Sequence, residues 1–416
     1  MNLNNCQTNR YNWKSENSHS IGVKVLLFLL SPVLGFLYSL RSINTKSTYL
    51  VILGFCVCFG MAFTVSNSRT EGSIDGISYR IWFEEYDNVS SQEFVHAIKD
   101  YLSFEGDTPD LYFDSLAFTI SRFTDNYHWF FMVAALIFAL FQLKTLRFFS
   151  SHSNFSNTLF CLILFFLFIW NQIFNINGLR FWTAAWVAIY AVFQVYVNGR
   201  KPYILLALVT PFFHVGYYLF VIVFLISLIA RRLEKLWVVL FLISFFASSL
   251  VVDFIQNTSF NLPMMFSDKV DYYTDSFYIQ KVNESGTGFW WVSKAFGYIS
   301  RFYINLMVVM LIFLAKGKHS LSRPAYELYL FLLVWMTFCN LFMGVPSVGV
   351  RYIELAYPII AFLWLSYFPS RYTVFVYMLP LVWLYNIYME FNYYNQVLDW
   401  SFFVSSPVVL AFKYLL

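Results

Sequence analysis

Apolar runs about 20 residues long recur along almost the whole chain, and few folds can hold such a sequence. The clear runs cover residues 23–40, 48–66, 127–146, 157–175, 179–197, 203–230, 236–253, 294–315, 325–343, 352–368 and 372–389, with a weaker one at 400–412. In hydrocarbon every backbone polar group needs a partner within the protein, which leaves α-helices and closed β-barrels. A barrel requires alternating apolar and polar residues, and runs such as 159–174 lack that alternation. The expectation is an all-α, polytopic membrane protein with about 11–13 transmembrane segments. Composition agrees: 12% of the 416 residues are charged and 59% are hydrophobic, against roughly 25% charged in soluble proteins.

The same composition excludes several functions. A net charge of +4 gives no reason to expect nucleic acid as a partner. Of the cysteines, Cys6, Cys56, Cys58, Cys161 and Cys339, four fall within apolar runs, and their spacing is neither a disulfide framework nor a zinc pattern. No metal-ligand cluster, phosphate-cradling glycine loop or Gly-x-Ser-x-Gly elbow occurs, so neither a metal nor a cofactor is expected. Residues 1–20 form a polar extension unlike a cleavable signal peptide. Residues 21–416 then read as a single transmembrane domain without internal repeats or linkers.

Basic residues sort the loops. Arg41/Lys46, Lys144/Arg147, Arg200/Lys201, Arg231/Arg232/Lys235, Lys316/Lys318/Arg323 and Arg371 fall on one side if the long 203–230 run is split in two near Pro211, His214 and Gly216. By the positive-inside rule that side is the cytoplasm. The opposite side carries two larger loops, about 67–126 and 254–293, with most of the Asp and Glu. In the first loop, Phe94, Ile98 and Tyr101 mark one short amphipathic helix, and Leu111, Leu116, Phe118 and Ile120 mark another. The run at 23–40 leaves two options. A single span puts the N-terminus outside, whereas Pro32 and Gly35 also permit a re-entrant hairpin that keeps it inside.

With this topology Arg180, His214 and Arg351 all fall at the outer ends of inward-running segments, near helix N-termini, and Lys294 and Arg301 begin another. Buried cations are costly in a membrane and point to function. Arginines at dipole-positive helix ends favour a nearby anion, and phosphate is the natural one. Blander readings stand beside this: Arg180 and Arg301 can snorkel to headgroups, Arg351 can pair with Glu354, and His214 can satisfy a helix break. The first outer loop adds Asp75, Tyr79, Arg80, Glu84, Glu85, Asp110 and Asp114, whose carboxylates among them suit binding sugar hydroxyls or acting as a base, or form a merely solvated acidic loop. In the second loop Tyr272, Tyr273, Phe277, Tyr278, Trp290 and Trp291 offer faces for sugars, although an interfacial aromatic belt has the same composition.

Order and placement of these elements resemble the EpsG-type, Wzy-like polysaccharide polymerases of bacterial inner membranes, over about residues 40–370. The resemblance rests on the basic loop after the first span, Asp75-x3-Tyr79, Gly178-x-Arg180, Phe213-His214 and Arg351-Tyr352. Two features depart from it: Arg180 is followed by Phe181-Trp182 where a Gln is common, and the polar extension is long. The resemblance implies a metal-independent membrane glycosyltransferase. It would join polyprenyl-diphosphate-linked (undecaprenyl diphosphate) oligosaccharide repeats into O-antigen, capsule or exopolysaccharide at the periplasmic face. The implied partners are the lipid-linked substrate, membrane lipid and a chain-length regulator protein. Arg180 and Arg351 would stabilise the diphosphate, and His214, neutral near pH 7, would be the base for the acceptor hydroxyl. Lys294, Arg301, Asp75, Tyr79, Arg80 and Glu84 would bind substrate. Competing readings are a flippase or transporter for a lipid-linked glycan, which uses broken helices in the same way, and an O-antigen ligase-like transferase with a different acceptor.

Overall fold

The computed structural model describes residues 13–66, 74–105, 110–152, 170–258, 267, 270–271, 273–275, 290–315, 321–367 and 396–416, and among them all regular structure is helical. The runs at 372–389 and most of 157–175, and the loop residues Tyr272, Phe277 and Tyr278, lie outside the described residues. Among the described residues, four helices are long and apolar enough to cross a membrane: Tyr127–His152, Ile173–Tyr196, Gly297–Ala315 and Arg323–Gly344. A bent pair, Glu234–Ser244 with Ser248–Ile255, makes a fifth candidate. The chain divides into two compact units, residues 1–94, 112–190 and 386–416 in the first and 95–111 and 191–385 in the second.

The first unit begins with a hairpin. Helix α1 (Ser18–Leu30) stops at Ser31, whose extended backbone turns the chain before Pro32 opens α2 (Pro32–Ser39). Ser31 caps α2 through its side chain, and proline suits the first turn because its missing N–H would be unpaired there anyway. The two helices pack closely enough that a Cβ on Gly35 would sit 2.7 Å from the Phe28 Cα, so no larger residue fits. Their outward residues Leu26, Leu29, Leu34 and Leu37 are exposed apolar side chains suited to lipid. The hairpin brings the chain back to its starting end. Buried Lys24 donates to the hydroxyls of Thr45, Ser47 and Thr48 and pairs with Glu16, while the Lys14 amide donates to the Asn44 carbonyl. Of the two options for residues 23–40, the hairpin is the one observed.

Helix α3 (Lys46–Ala62) packs on the later long helix through Gly60, where a Cβ would meet the Phe131 carbonyl at 2.4 Å. The first outer loop folds into α4 (Asp75–Glu85), α5 (Ser91–Ser103) and α6 (Tyr112–Ser121). Phe94 of α5 stacks on Phe118 of α6 at 4.1 Å, and Tyr101 is buried, as the amphipathic pattern anticipates. Helices α7 (Tyr127–His152) and α8 (Leu179–Tyr196) follow, α8 after a 3-10 turn over Ile173–Gly178. The C-terminal helices Ser401–Val404 and Pro407–Tyr414 close this unit: the Phe403 carbonyl accepts from Ser31, and the Tyr414 carbonyl from Asn126.

In the second unit the long 203–230 run breaks where proline and histidine predict it. Helices α9 (Tyr203–Leu208) and α10 (Thr210–Phe213) end at His214, and α11 (Tyr217–Ala230) begins three residues later. The single segment expected at 236–253 is instead two helices, α12 (Glu234–Ser244) and α13 (Ser248–Thr258), bent by 87°. Serine explains the difference: Ser244 donates back to the Phe241 carbonyl at 2.6 Å, and such side-chain bonds compete with the helical ladder. Helix α14 (Trp290–Ala315) and α15 (Arg323–Leu341) are continuous. The Glu234 carboxylate accepts from Tyr326 and Tyr329, and Arg231 pairs with Glu327, which ties the start of α12 to the start of α15. Short α16 (Pro346–Ile353) and α17 (Ala356–Tyr367) complete the unit.

Candidate functional site

In the first unit, two stretches singled out by sequence meet. The Gly76 amide at the start of α4 donates to the Asn177 side chain at 2.8 Å, docking α4 on the turn that precedes α8. A Cβ on Gly76 would lie 3.0 Å from that same Asn177 oxygen, so the contact needs a small residue. Arg180, second residue of α8, then extends to the Tyr79 hydroxyl (3.3 Å). Its guanidinium lies 5.5 Å from the Tyr79 ring and 5.8 Å from the Trp82 ring, a cation–π setting that holds the charge without neutralising it. Tyr79, Trp82 and Tyr86 all pack against Phe113 of α6.

Beside this aromatic group sits a carboxylate that sequence left among the general acids of the loop. Asp114 accepts from the Tyr86 hydroxyl at 2.5 Å. Burial pushes its carboxyl above the ordinary aspartate value, only partly offset by Tyr86 and by the charge of Arg180. Nothing local in the sequence marks Asp114 above its neighbours; the packing of α6 on α4 brings it here. The unit thus presents an arginine, a carboxylate and aromatic faces together, the groups that bind phosphate and sugar.

The second unit joins the other two elements. His214 ends α10 in an extended conformation (φ −160°, ψ 127°), and its carbonyl accepts the first amide of α11 from Tyr217 at 2.9 Å. A freed carbonyl at the break, that of Phe212, accepts from the Leu111 amide at 3.1 Å. The segment ending at Leu111 therefore covers the break: Tyr101, Leu111 and Val215 form a small buried cluster, and Tyr101 meets Tyr218 hydroxyl to hydroxyl. The His214 Nδ1 accepts the Gly216 amide at 3.0 Å. Tyr352 fills the space above Gly216, its hydroxyl 2.6 Å from where a Cβ would be, and its ring packs against Tyr217 and Trp335. Phe213-His214 and Arg351-Tyr352 are thereby neighbours through Gly216 and Tyr217.

Arg351 needs a correction. Rather than a helix N-terminus, it occupies the last turn of α16, and α17 starts only at Ala356. Pro358 accounts for this: its ring excludes a continuous helix through the Glu354 carbonyl, so the first run ends and a new helix begins with proline in its first turn. A cation in a last helical turn is stabilised by the local dipole, the reverse of the expected penalty. Arg351 is exposed, unlike its buried neighbour Tyr352.

The remaining candidates divide. Arg301 lies within α14, half-buried, with its guanidinium 5.2 Å from the Tyr298 ring. Lys294 is on the same helix, and its side chain lies outside the described residues, as do those of Trp290 and Trp291. Arg80 is engaged in the fold: it donates to the Val65 carbonyl at 2.6 Å, pairs with Glu84 at 2.8 Å and covers the Tyr127 ring at 4.2 Å. Asp75 is exposed at the first residue of α4, where its charge suits the helix dipole.

No curated protein and no solved structure was found to match the chain. Its sequence does match the EpsG family, over residues 51–405. That range contains both pairs of contacting elements, Asp75–Tyr79 with Gly178–Arg180 and Phe213-His214 with Arg351-Tyr352. The chain is a multi-pass membrane protein of the EpsG family, the family of Wzy-like polysaccharide polymerases.

Proposed function

We propose that this protein is a polymerase that joins oligosaccharide repeats carried on a polyprenyl diphosphate, at the periplasmic face of a bacterial inner membrane. The observation that carries the reading is the pairing of the family's separated elements. In one unit Arg180 is assembled with aromatic residues and Asp114, and in the other His214 and Tyr352, which follows Arg351, meet around Gly216. Transfer from a lipid diphosphate breaks a bond to a phosphate oxygen, and charge builds on that oxygen as it leaves. Fixed cations in a low-dielectric site stabilise such charge better than water does. Arg180 is such a cation in the first unit, where Tyr79, Trp82 and Asp114 provide the faces and acceptor that a sugar needs, and Arg351 is an exposed cation of the second unit. Arg301 and Lys294 add positive charge along α14. The chain's own cations take the part that a metal plays in other phosphate chemistry, and the donor is lipid-linked rather than a nucleotide sugar.

A deletion strain tests this through its surface glycan, separated by length on a gel. Glycan reduced to one repeat per acceptor, restored to long chains by the wild-type gene, supports a polymerase. Loss of all surface glycan would point to a flippase, and accumulation of free lipid-linked polymer to a ligase.

A further inference from the structure

The contact between the His214 ring and the Gly216 amide decides what this histidine can do. The Gly216 N–H points at Nδ1 at 3.0 Å, so Nδ1 must offer a lone pair. A neutral imidazole with its lone pair at Nδ1 carries its single proton at Nε2. A histidine that removes a proton through Nε2 needs the opposite tautomer, with Nδ1–H held by an acceptor such as a carboxylate. The ring is also held in place. A Cβ at residue 216 would sit 2.6 Å from the Tyr352 hydroxyl and 3.1 Å and 3.2 Å from Nδ1 and Cε1 of His214, so only glycine lets the amide approach the ring. The extended backbone at His214 and the bond from the Tyr217 amide to the His214 carbonyl fix the residue from which the ring projects.

We propose that His214 works as a neutral hydrogen-bond donor, presenting Nε2–H to the departing diphosphate, and not as the base for the acceptor hydroxyl. The inference rests on the polymerase reading for its substrate. In the step, the acceptor hydroxyl oxygen attacks the anomeric carbon and forms the new glycosidic bond. The bond between that carbon and the diphosphate oxygen breaks, and its electron pair stays on the diphosphate. The hydroxyl proton passes to the freed terminal phosphate, whose oxygens are more basic than when esterified. His214 keeps its proton throughout, donating to the oxygen on which charge develops, a use of neutral imidazole known from other enzymes. Gly216 is the positioning residue that sets the tautomer.

Two substitutions separate donor from base. Glutamine places an amide N–H near the Nε2 position and cannot take up a proton, whereas glutamate can accept a proton and cannot donate when ionised. In the deletion strain, His214→Ala should shift the glycan to one or few repeats, reflecting a loss on the order of 10²–10³-fold. His214→Gln should keep intermediate or long chains, and His214→Glu should behave like alanine, all at equal abundance in the membrane. Glutamine as inactive as alanine, with glutamate partly active, would overturn the donor role. Wild-type chain length in His214→Ala would overturn any role in the reaction. A second measurement does not depend on the reaction at all. ¹⁵N spectra of histidine-labelled protein in bilayers, with the His214 signals assigned by their loss in His214→Gln, should show an unprotonated Nδ1 and a protonated Nε2. The reverse tautomer would sink the inference and leave the polymerase reading standing, while failure of the wild-type gene to restore long glycan would sink that reading and leave the tautomer intact.

Discussion

At the level of single residues, Asp114 and Arg180 show how the site trades stability for function. Burial raises the folded-state pKa of Asp114 above its unfolded value. A carboxylate shifted this way favours the fold below its unfolded pKa, and that contribution is lost as pH rises through the folded value. At neutral pH burial of this carboxyl is therefore a cost to the fold. Asp114→Asn keeps an acceptor for the Tyr86 hydroxyl and removes the charge. The expected result is a higher unfolding temperature in detergent at pH 7, a difference that shrinks as the pH is lowered toward the aspartate range, together with shortened glycan. A lower unfolding temperature at pH 7 would show that the pairing with Arg180 outweighs burial. For Arg180 itself, alanine should cost about 10²–10³-fold in polymerisation. Lysine should recover only part of this, because a point charge neither forks onto phosphate nor lies flat against the Tyr79 and Trp82 rings as a guanidinium can. Chain-length distributions of the two variants at equal expression make the comparison.

Among the elements, the α1–α2 hairpin carries a claim of its own. Ser31-Pro32 and Gly35 permit the turn, but the same residues fit a kinked single span, so sequence alone leaves both open. What decides it is a tertiary contact: Lys24, fully buried, reaches Glu16 in the tail and three hydroxyls near the start of α3. Breaking a buried pair by removing one partner costs about 3–5 kcal/mol, and the lower end applies here because a terminal Glu16 can swing into water. Lys24→Met should therefore destabilise the protein and free the tail for proteolysis. Acid should act in the same direction. Burial of Glu16 opposes ionisation, yet Lys24, Ser47 and Ser20 outweigh it and hold the carboxyl down to about 2. A depressed folded pKa contributes stability that is complete above the ordinary glutamate value of 4.5 and lost as the pH falls toward about 2. Protease cleavage of the tail in wild type should thus rise between those limits and stay low above them. Equal cleavage of wild type and Lys24→Met at pH 7 would show that the tail is not held by this pair.

For the whole molecule, the sequence was most legible where one local cause sufficed. The interruption of the 203–230 run followed from Pro211 in the first turn of α10, the loop helices α5 and α6 from the period of their apolar residues, and the family from the order of short elements. It was least legible where distant segments decide. Asp114 gained its place through α6 packing on α4, the 87° bend between α12 and α13 arose inside an unbroken apolar run, and Arg351 moved to a last helical turn because Pro358 starts a new helix beyond it. Orientation in the membrane combines both kinds of information and gives the last prediction. Short loops rich in Lys and Arg mark the cytoplasm, and the hairpin returns the tail to the end that holds Arg41 and Lys46. Trp13 of the tail lies 4.2 Å under the Arg147 guanidinium, so the C-terminal end of α7 shares that end. Reporter fusions at the N-terminus and after Arg147, Lys201, Lys235 and Lys318 should all report cytoplasm, and fusions within 74–105 and 255–275 should report periplasm. A periplasmic N-terminus with Arg147 cytoplasmic would overturn the hairpin alone. Periplasmic results at both Arg147 and Lys235 would invert the protein and put Arg180 and His214 on the side where no lipid-linked repeat is joined, and the polymerase reading would fall with them.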